Sequence, residues 1–346
     1  KYYEFCIELK ERQYTAMKKS QTFIKNNMVL ILLFVLIAYF SLTTRNFFSG
    51  TNAANLLRQV SIIGIMCSGF TLVMISGGLD LSVSSIISFV GCLSAMGIMA
   101  NVPIWLSCLM GIAVSVLISA INAAFILGTG MPAMICTLAM QQVLQGLTYM
   151  LTGAAPIYGM PDSVKFLGQG YIGIIPIPVI VMIICFAICG FILNETYIGR
   201  YFYAVGSNVE AARLSGLAVV KIQMLAYLIN GLFCGLAGIV LMSRLFSGQP
   251  KAGSGYEMDV ITACVVGGVA FSGGKGNIIG LIEGVLVMGV LTNGLGVKGV
   301  DSYTQLVFKG IVLILVVGID SYQQRKAKQQ KMKIKTENVA SEVKEG

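Results

Sequence analysis

The chain has 346 residues, of which 56% are hydrophobic and only 11% charged, against about 25% charged for an ordinary soluble domain. That composition excludes a typical water-soluble enzyme and a disordered chain. The formal net charge is +9, but the cations stand at the two ends and between long apolar runs, not in the surface patch a nucleic-acid binder needs.

Residues 1–27 are polar, hold six Lys/Arg and read as an N-terminal tail. A spanning helix needs about 20 mostly apolar residues. Ten runs approach that: roughly 28–43, 57–77, 82–100, 104–127, 132–152, 174–193, 222–244, 258–272, 277–297 and 304–320. The first has no signal-peptide flank and no A-x-A site, so it reads as a membrane helix that stays. The eighth is short and interrupted by Gly267-Gly268, a break tolerated only where protein or a water-lined cavity satisfies the backbone. Residues 321–346 form a second polar tail with seven Lys/Arg.

Positive charge orients these runs. Both tails, the long segment 194–223 and Lys275 fall on one side with seventeen Lys/Arg; Arg45, Arg58, Lys165, Arg244, Lys251 and Lys298 fall on the other. The expected fold is therefore an all-α polytopic membrane protein of about ten transmembrane helices, N-in and C-in. A single domain over 28–320 stands between cytoplasmic tails 1–27 and 321–346, with no soluble domain.

The nine cysteines form no CxxC and read as small buried hydrophobes. His is absent, which removes His metal ligands and proton relays, and no metal site is expected. No P-loop is present: Ser272-Gly273-Gly274-Lys275-Gly276 has Val269 where the motif's first Gly would stand and no Ser/Thr after Lys275. No catalytic constellation is visible. The chain reads as a non-enzyme that binds no cofactor.

Intramembrane polar groups carry what chemistry there is. Asp80 and Ser82, in Gly77-Gly78-Leu79-Asp80-Leu81-Ser82, read as a helix N-cap region or as a solute contact. Asn122, Gln141, Gln145, Asn230 and Asn293 can exchange hydrogen bonds with a neutral solute's hydroxyls, or serve as interhelical glue. Glu283 and Lys309 are intramembrane charges. They are not level, and Lys309 can instead snorkel outward. Gly276-x3-Gly280-x3-Gly284 and Gly231-x3-Gly235 mark close helix packing. Gly77-Gly78 through Ser82 is echoed weakly by Gly267-Gly268 through Ser272.

Within 194–223, Asn208 is a plausible N-cap, Glu210-Ala211-Ala212-Arg213 a good helix former and Gly216 a helix stop. A short helix tied to two spans is a suitable lever for a soluble partner, and equally an ordinary connector.

Four ordered segments match a known pattern: Gly77 to Val83, Tyr203 to Gly216, Gln249 to Asp259, and Val266 to Gly276 followed by Asn293-Gly294-Leu295. Over roughly residues 28–322 the chain resembles the membrane subunits of ribose-type ABC importers, bacterial permeases serving ribose, xylose, galactose and related solutes. The resemblance implies a pair of permease subunits, identical or not, in the bacterial cytoplasmic membrane. It implies an extracytoplasmic solute-binding protein above and ATP-binding subunits below, the latter holding ATP and Mg. It places coupling to the ATPase on Arg200, Gly206, Asn208, Glu210, Ala211, Ala212, Arg213 and Gly216. Binding-protein docking falls on Gln249, Pro250, Tyr256 and Glu257. Glu283 departs from the family pattern. The implied solute is a pentose or hexose, with a nucleoside, a signalling furanose or another polyhydroxy solute as the runner-up. A stand-alone secondary transporter is the competing class. It would need a titratable mid-membrane site, which a chain without His and with few acidic residues supplies poorly.

Overall fold

The computed structural model describes residues 28–301, 303–318 and 321; the N-terminal tail with Cys6, and nearly all of the C-terminal tail, lie outside the described residues. The helices in chain order are α1 (Met28–Thr43), α2 (Gly50–Ile75), α3 (Val83–Met99), α4 (Ile104–Thr129), α5 (Ala133–Thr152) and α6 (Lys165–Gln169). A two-residue hairpin, β1 (Tyr171–Ile172) with β2 (Ile175–Pro176), precedes α7 (Ile177–Glu195). Then follow α8 (Tyr197–Ser207), α9 (Val209–Leu214), α10 (Val219–Leu245), α11 (Tyr256–Val266), α12 (Ile278–Val297) and α13 (Tyr303–Gly318). Among the described residues α2, α4, α7, α10 and α12 are long and apolar enough to cross a membrane. The protein is a multi-pass membrane protein.

Helix α2 forms the centre. The Ser49 hydroxyl accepts the Asn52 N–H at 3.2 Å, meeting one of the helix's orphan donors. Every residue from Val60 to Ile75 is buried, as a helix apolar all round must be. Helices α7, α10, α11 and α12 pack around it, and α10 also contacts α3 and α4. The far side of α4 exposes Leu109, Leu117 and Phe125, large apolar groups suited to lipid. The glycine stripes do set close approaches. A Cβ on Gly235 would stand 3.0 Å from the Ile112 Cα, one on Gly231 2.6 Å from the Ser119 hydroxyl, and Gly280 and Gly284 lie on the backbone of Gly267 and Ala263. Seven of the eight described cysteines are buried.

The eighth span is short and stops at the Gly267-Gly268 pair, as read from sequence, and its helix starts at Tyr256. Helix α11 has 11 residues, about 16 Å at 1.5 Å per residue, half of a ~30 Å hydrocarbon core. The segment before it, rich in Gly and Ser, cannot hold a helix but can lie flat against one. It runs beside α3. A Cβ on Gly248 would meet Ala95 Cβ at 2.7 Å and Cys92 Cα at 3.2 Å, while the Gly253 N–H donates to Ser88 Oγ at 2.8 Å. A few irregular residues thus cover a drop that takes α3 about two turns, and α11 completes the path to Gly267.

A second break mirrors it. Residues Gly77–Ser82 leave the end of α2 without helix and rise past Tyr227, whose hydroxyl receives the Leu79 N–H at 3.3 Å and donates to the Leu79 carbonyl at 3.0 Å. Only then does α3 begin, level with the middle of α10. So α3 and α11 both start inside the bundle and run to opposite ends.

The stops that precede the two returns are alike. Gly77 N–H bonds Met74 O and Gly78 N–H bonds Val73 O, both at 2.9 Å; Gly268 N–H bonds Val265 O at 3.0 Å and Val269 N–H bonds Cys264 O at 2.9 Å. Gly77 at φ +83° and Gly268 at φ +80° take the left-handed position that favours glycine. The echo is therefore real in the helix stops but one residue out of the register read from sequence, which set Gly77 against Gly267.

Candidate functional site

Four expected pathway residues meet in one hydrogen-bonded network, in which Asn122 Oδ1 has no partner among the described residues. Asp80 Oδ1 accepts the Ser82 N–H at 3.1 Å and its hydroxyl at 2.5 Å, and Asp80 Oδ2 accepts Asn230 Nδ2 at 3.0 Å. Asn122 Nδ2 donates to Ser82 Oγ at 2.9 Å. All four are fully buried, so in this conformation they line no passage. They clamp the broken segment to α4 and α10, and satisfy a buried carboxylate that would otherwise carry a large desolvation cost. The N-cap reading of Asp80 is met in part: it serves the Ser82 N–H at the helix entrance, while Ser82, at the cap position, makes no side-chain cap bond. Thr137, which receives the Leu81 N–H at 3.1 Å, and Tyr227 complete the clamp. Neither carried a signal in the sequence beyond being polar within an apolar run. Asn293 lies elsewhere, in a two-bond amide pair with Asn52 at 3.1 Å each way that ties α12 to α2.

Gln141 and Gln145 are separate from this clamp. They sit half-buried near the middle of α5 and face a polar cleft shared with Ser84, Ser85 and Ser88 of α3 and Lys251. Lys251, counted by sequence at an outer end, is thus at the level of the helix breaks.

The expected docking loop is only partly open. Pro250 is buried, and Gln249, Tyr256 and Glu257 are half-buried, because this stretch is inserted beside α3. The connection after α5 is the more open one: Tyr158 and Phe166 are exposed, and it is tied to the same end by the Ile157–Gly248 bridge.

Lys309 pairs with neither Glu283 nor the surface. Its ammonium donates to Asp259 Oδ2 at 2.7 Å, with the two side chains 13% and 5% exposed. This buried ion pair fastens α11 to α13. Sequence reasoning missed Asp259, because the irregular half-span shifts its depth away from the value a continuous helix would give.

The predicted lever is built as expected locally. Asn208 Oδ1 accepts the Ala211 N–H at 3.0 Å, Glu210 pairs with Arg213 at 3.0 Å, and Gly216 has φ +81°. Glu210 and Arg213 stand in the open at 72% and 62% exposure; Ala212 is buried against the bundle. Arg200 is exposed on α8. The far end of α8 is where the structure adds most. A Cβ on Gly206 would fall on the Ile75 carbonyl and within 2.6 Å of the Gly274 nitrogen. Gly274 N–H itself bonds Ile75 O at 2.9 Å. A Cβ on Gly273 would stand 2.9 Å from Gly77 Cα, and Tyr203 donates to the Gly276 carbonyl at 2.8 Å. The lever therefore touches the end of α2, the Gly77 return and the turn after α11 at one point. No cluster of His, Cys, Asp and Glu among the described residues could hold a metal.

A permease family described as "Branched-chain amino acid transport system / permease component" matches residues 52–317, most of the chain. The chain belongs to this family. The ribose import permease protein RbsC of Bacillus subtilis (strain 168) is 41% identical over 290 residues, 83% of this chain and 90% of the relative. RbsC of Escherichia coli (strain K12) is 40% identical over 299 residues, 85% and 93% respectively. The L-arabinose transport system permease protein AraH of the same strain is 35% identical over 299 residues, 86% and 90%. No solved structure matches the chain. As a permease the protein is a transport component and not an enzyme, and permeases of this kind work with ATP-binding and substrate-binding partners.

Proposed function

We propose that this permease forms the membrane pathway of an ATP-driven importer for a monosaccharide, a ribose-like pentose first and a hexose second. In this reading two copies, or one copy and a sister chain, sit in a bacterial cytoplasmic membrane. The relatives named above are permeases for ribose and L-arabinose, which supports a sugar. The observation that carries the mechanism is the glycine junction where Gly206 of the lever meets Ile75, Gly77 and Gly273–Gly274. A partner pressing on α9 reaches the ends of both broken spans through one rigid contact. Coupling of this kind is a preference of ATP-bound partners for one arrangement of the bundle, transmitted by that contact.

The lever end is assigned to the cytoplasm. Arg200, Arg213, Lys221 and Lys275 gather there, Lys275 being held beside Ser207 through Gly274, in keeping with the positive-inside rule. Each half-extended path, counted with its helix, crosses once. On this count the described residues make ten crossings.

The test is co-purification of the chain from mild detergent with its ATP-binding subunit, followed by ATP hydrolysis with D-ribose or L-arabinose and the solute-binding protein. Hydrolysis stimulated by one loaded binding protein is expected. A chain that stays alone and moves sugar without ATP would overturn the reading.

A further inference from the structure

We propose that Arg58 and Arg244, at the end of the bundle away from the lever, bind the phosphate of an anionic phospholipid, with the β1–β2 hairpin as the apolar rim of the site. Gln169 brings the two arginines together. Arg58 Nη2 donates to the Gln169 carbonyl at 2.6 Å, and Gln169 Nε2 donates to the Arg244 carbonyl at 2.9 Å. Gly168, one residue earlier, lies directly on the backbone of Ser243 and Arg244, so α6 fixes the end of α10 against α2. The Arg244 guanidinium then stands within Coulombic reach of Arg58.

Two like charges so placed repel. Both side chains are half-buried, and neither makes a salt bridge among the described residues. The acids of the neighbouring α11 are occupied elsewhere: Glu257 accepts the Gly255 N–H at 3.1 Å, and Asp259 holds Lys309. Arg58 Nε is buried with no partner, and the Arg244 guanidinium makes no hydrogen bond among the described residues. A partly desolvated charge without a counter-charge is costly. An anion bridging the two guanidinium forks removes the repulsion and meets the missing bonds, and the planar fork matches phosphate.

Depth points to a lipid. From Arg58 to Ile75, where α2 meets the lever, α2 runs about 26 Å, close to the ~30 Å of a hydrocarbon core. Arg58 is therefore near the headgroup boundary. Helix α7 has 19 residues, about 28 Å, so the hairpin just before it sits at the same boundary. The hairpin turns at Gly173-Ile174, and Ile172 and Ile174 are 60% and 92% exposed. Turns that face water favour Gly, Pro, Asn, Asp and Ser; an isoleucine at the tip suits acyl chains. Tyr171 lies under Arg58, with the guanidinium carbon 4.8 Å from the ring centre, an aromatic placed as in an interfacial belt.

Other anions fit only half of this. A free phosphate ion gains nothing from the apolar hairpin. A carboxylate of a docking protein would have to reach past the start of α2, since Arg58 lies about 12 Å along that helix from Gly50. A phospholipid meets both halves at once, its phosphate on the arginines and its chains along Ile172 and Ile174. Basic pockets between spanning helices hold headgroups in this way.

The experiment uses the full chain in vesicles of phosphatidylcholine with or without phosphatidylglycerol. It reads the thermal melt and, by native mass spectrometry after extraction in mild detergent, the lipid retained; neither readout depends on which solute the protein carries. Phosphatidylglycerol is expected to raise the wild-type melting temperature and to stay bound. Arg244→Gln is expected to melt no lower than the wild type in phosphatidylcholine, because the guanidinium bonds nothing in the protein. It is expected to show no rise with phosphatidylglycerol and to retain that lipid about tenfold less, the scale of one lost charge-assisted hydrogen bond. Arg244→Lys keeps the charge and is expected to recover part of the retention, and Ile174→Ser, at the exposed tip, to weaken it several-fold. Unchanged retention in Arg244→Gln would overturn the site. So would an equal rise in melting temperature with inorganic phosphate and no retained lipid, which would make the anion a free one. Weaker association of Arg244→Gln with the solute-binding protein at unchanged lipid retention would assign the pair to a protein carboxylate and overturn the lipid.

Discussion

Asp80 shows how a single carboxylate can specify a non-helical stretch inside a membrane bundle. Its two oxygens hold the Ser82 N–H, the Ser82 hydroxyl and the Asn230 amide, so the backbone turns where its donors are met rather than where propensity would end a helix. Hydrogen bonds to charged groups are worth about 1.5–3 kcal/mol. Asn230→Leu leaves Oδ2 buried without that partner and is expected to lower thermal stability of the purified chain by that order. Asn230→Asp is expected to do worse, because two carboxylates would face each other where one amide now bridges. The exchange Asp80→Asn with Asn230→Asp keeps one charge and the donor–acceptor match, and is expected to recover much of the loss. A double variant no more stable than the worse single would show that the contact does not hold the break.

At the scale of elements, α11 and α13 make the argument that hydropathy could not. A window of apolar residues reads the same whether the backbone is helical or extended, so the eighth span's glycine break at Gly267-Gly268 was legible but its late helical start at Tyr256 was not. The small residues of the Ser247–Gly255 stretch are what let it lie on α3, a packing that composition alone does not announce. The lever was legible because its chemistry is local: Asn208 caps a helix three residues away, and Gly216 ends it. The clamp was legible only as separate polar residues, since its partners stand 40 and 150 residues apart. The same holds for Lys309 and Asp259, 50 residues apart. Asp259 Oδ1 has no partner among the described residues, so Lys309 is the carboxylate's one side-chain contact. Breaking a buried pair from one side costs about 3–5 kcal/mol. Lys309→Met is expected to lose stability on that scale, and Lys309→Met with Asp259→Leu to regain most of it. Thermal melts of both in detergent decide; a single variant as stable as the parent would mean the pair is fully hydrated in solution.

At the scale of the whole molecule, docking and transmission are separable because they sit at opposite ends of the lever. Glu210 is exposed and bonded only to Arg213, and a surface pair of this kind is worth at most about 1 kcal/mol. Glu210→Lys therefore leaves the fold intact, and its expected loss of uptake and of solute-stimulated ATP hydrolysis comes from the partner contact; normal stimulated hydrolysis would remove the docking role from α9. Gly206 is half-buried in the junction, against the Ile75 carbonyl and the Gly274 nitrogen. Gly206→Ala drives a methyl onto the Ile75 carbonyl and pries the lever from α2 and from the turn after α11. With α9 unchanged, the ATP-binding subunit is expected to bind and hydrolyse, while sugar moved per ATP falls sharply. Measuring that ratio in proteoliposomes separates the two ends. A Gly206→Ala chain that keeps the wild-type ratio would mean the push travels by another route, such as Tyr203 on the Gly276 carbonyl or Ser207 against Gly274.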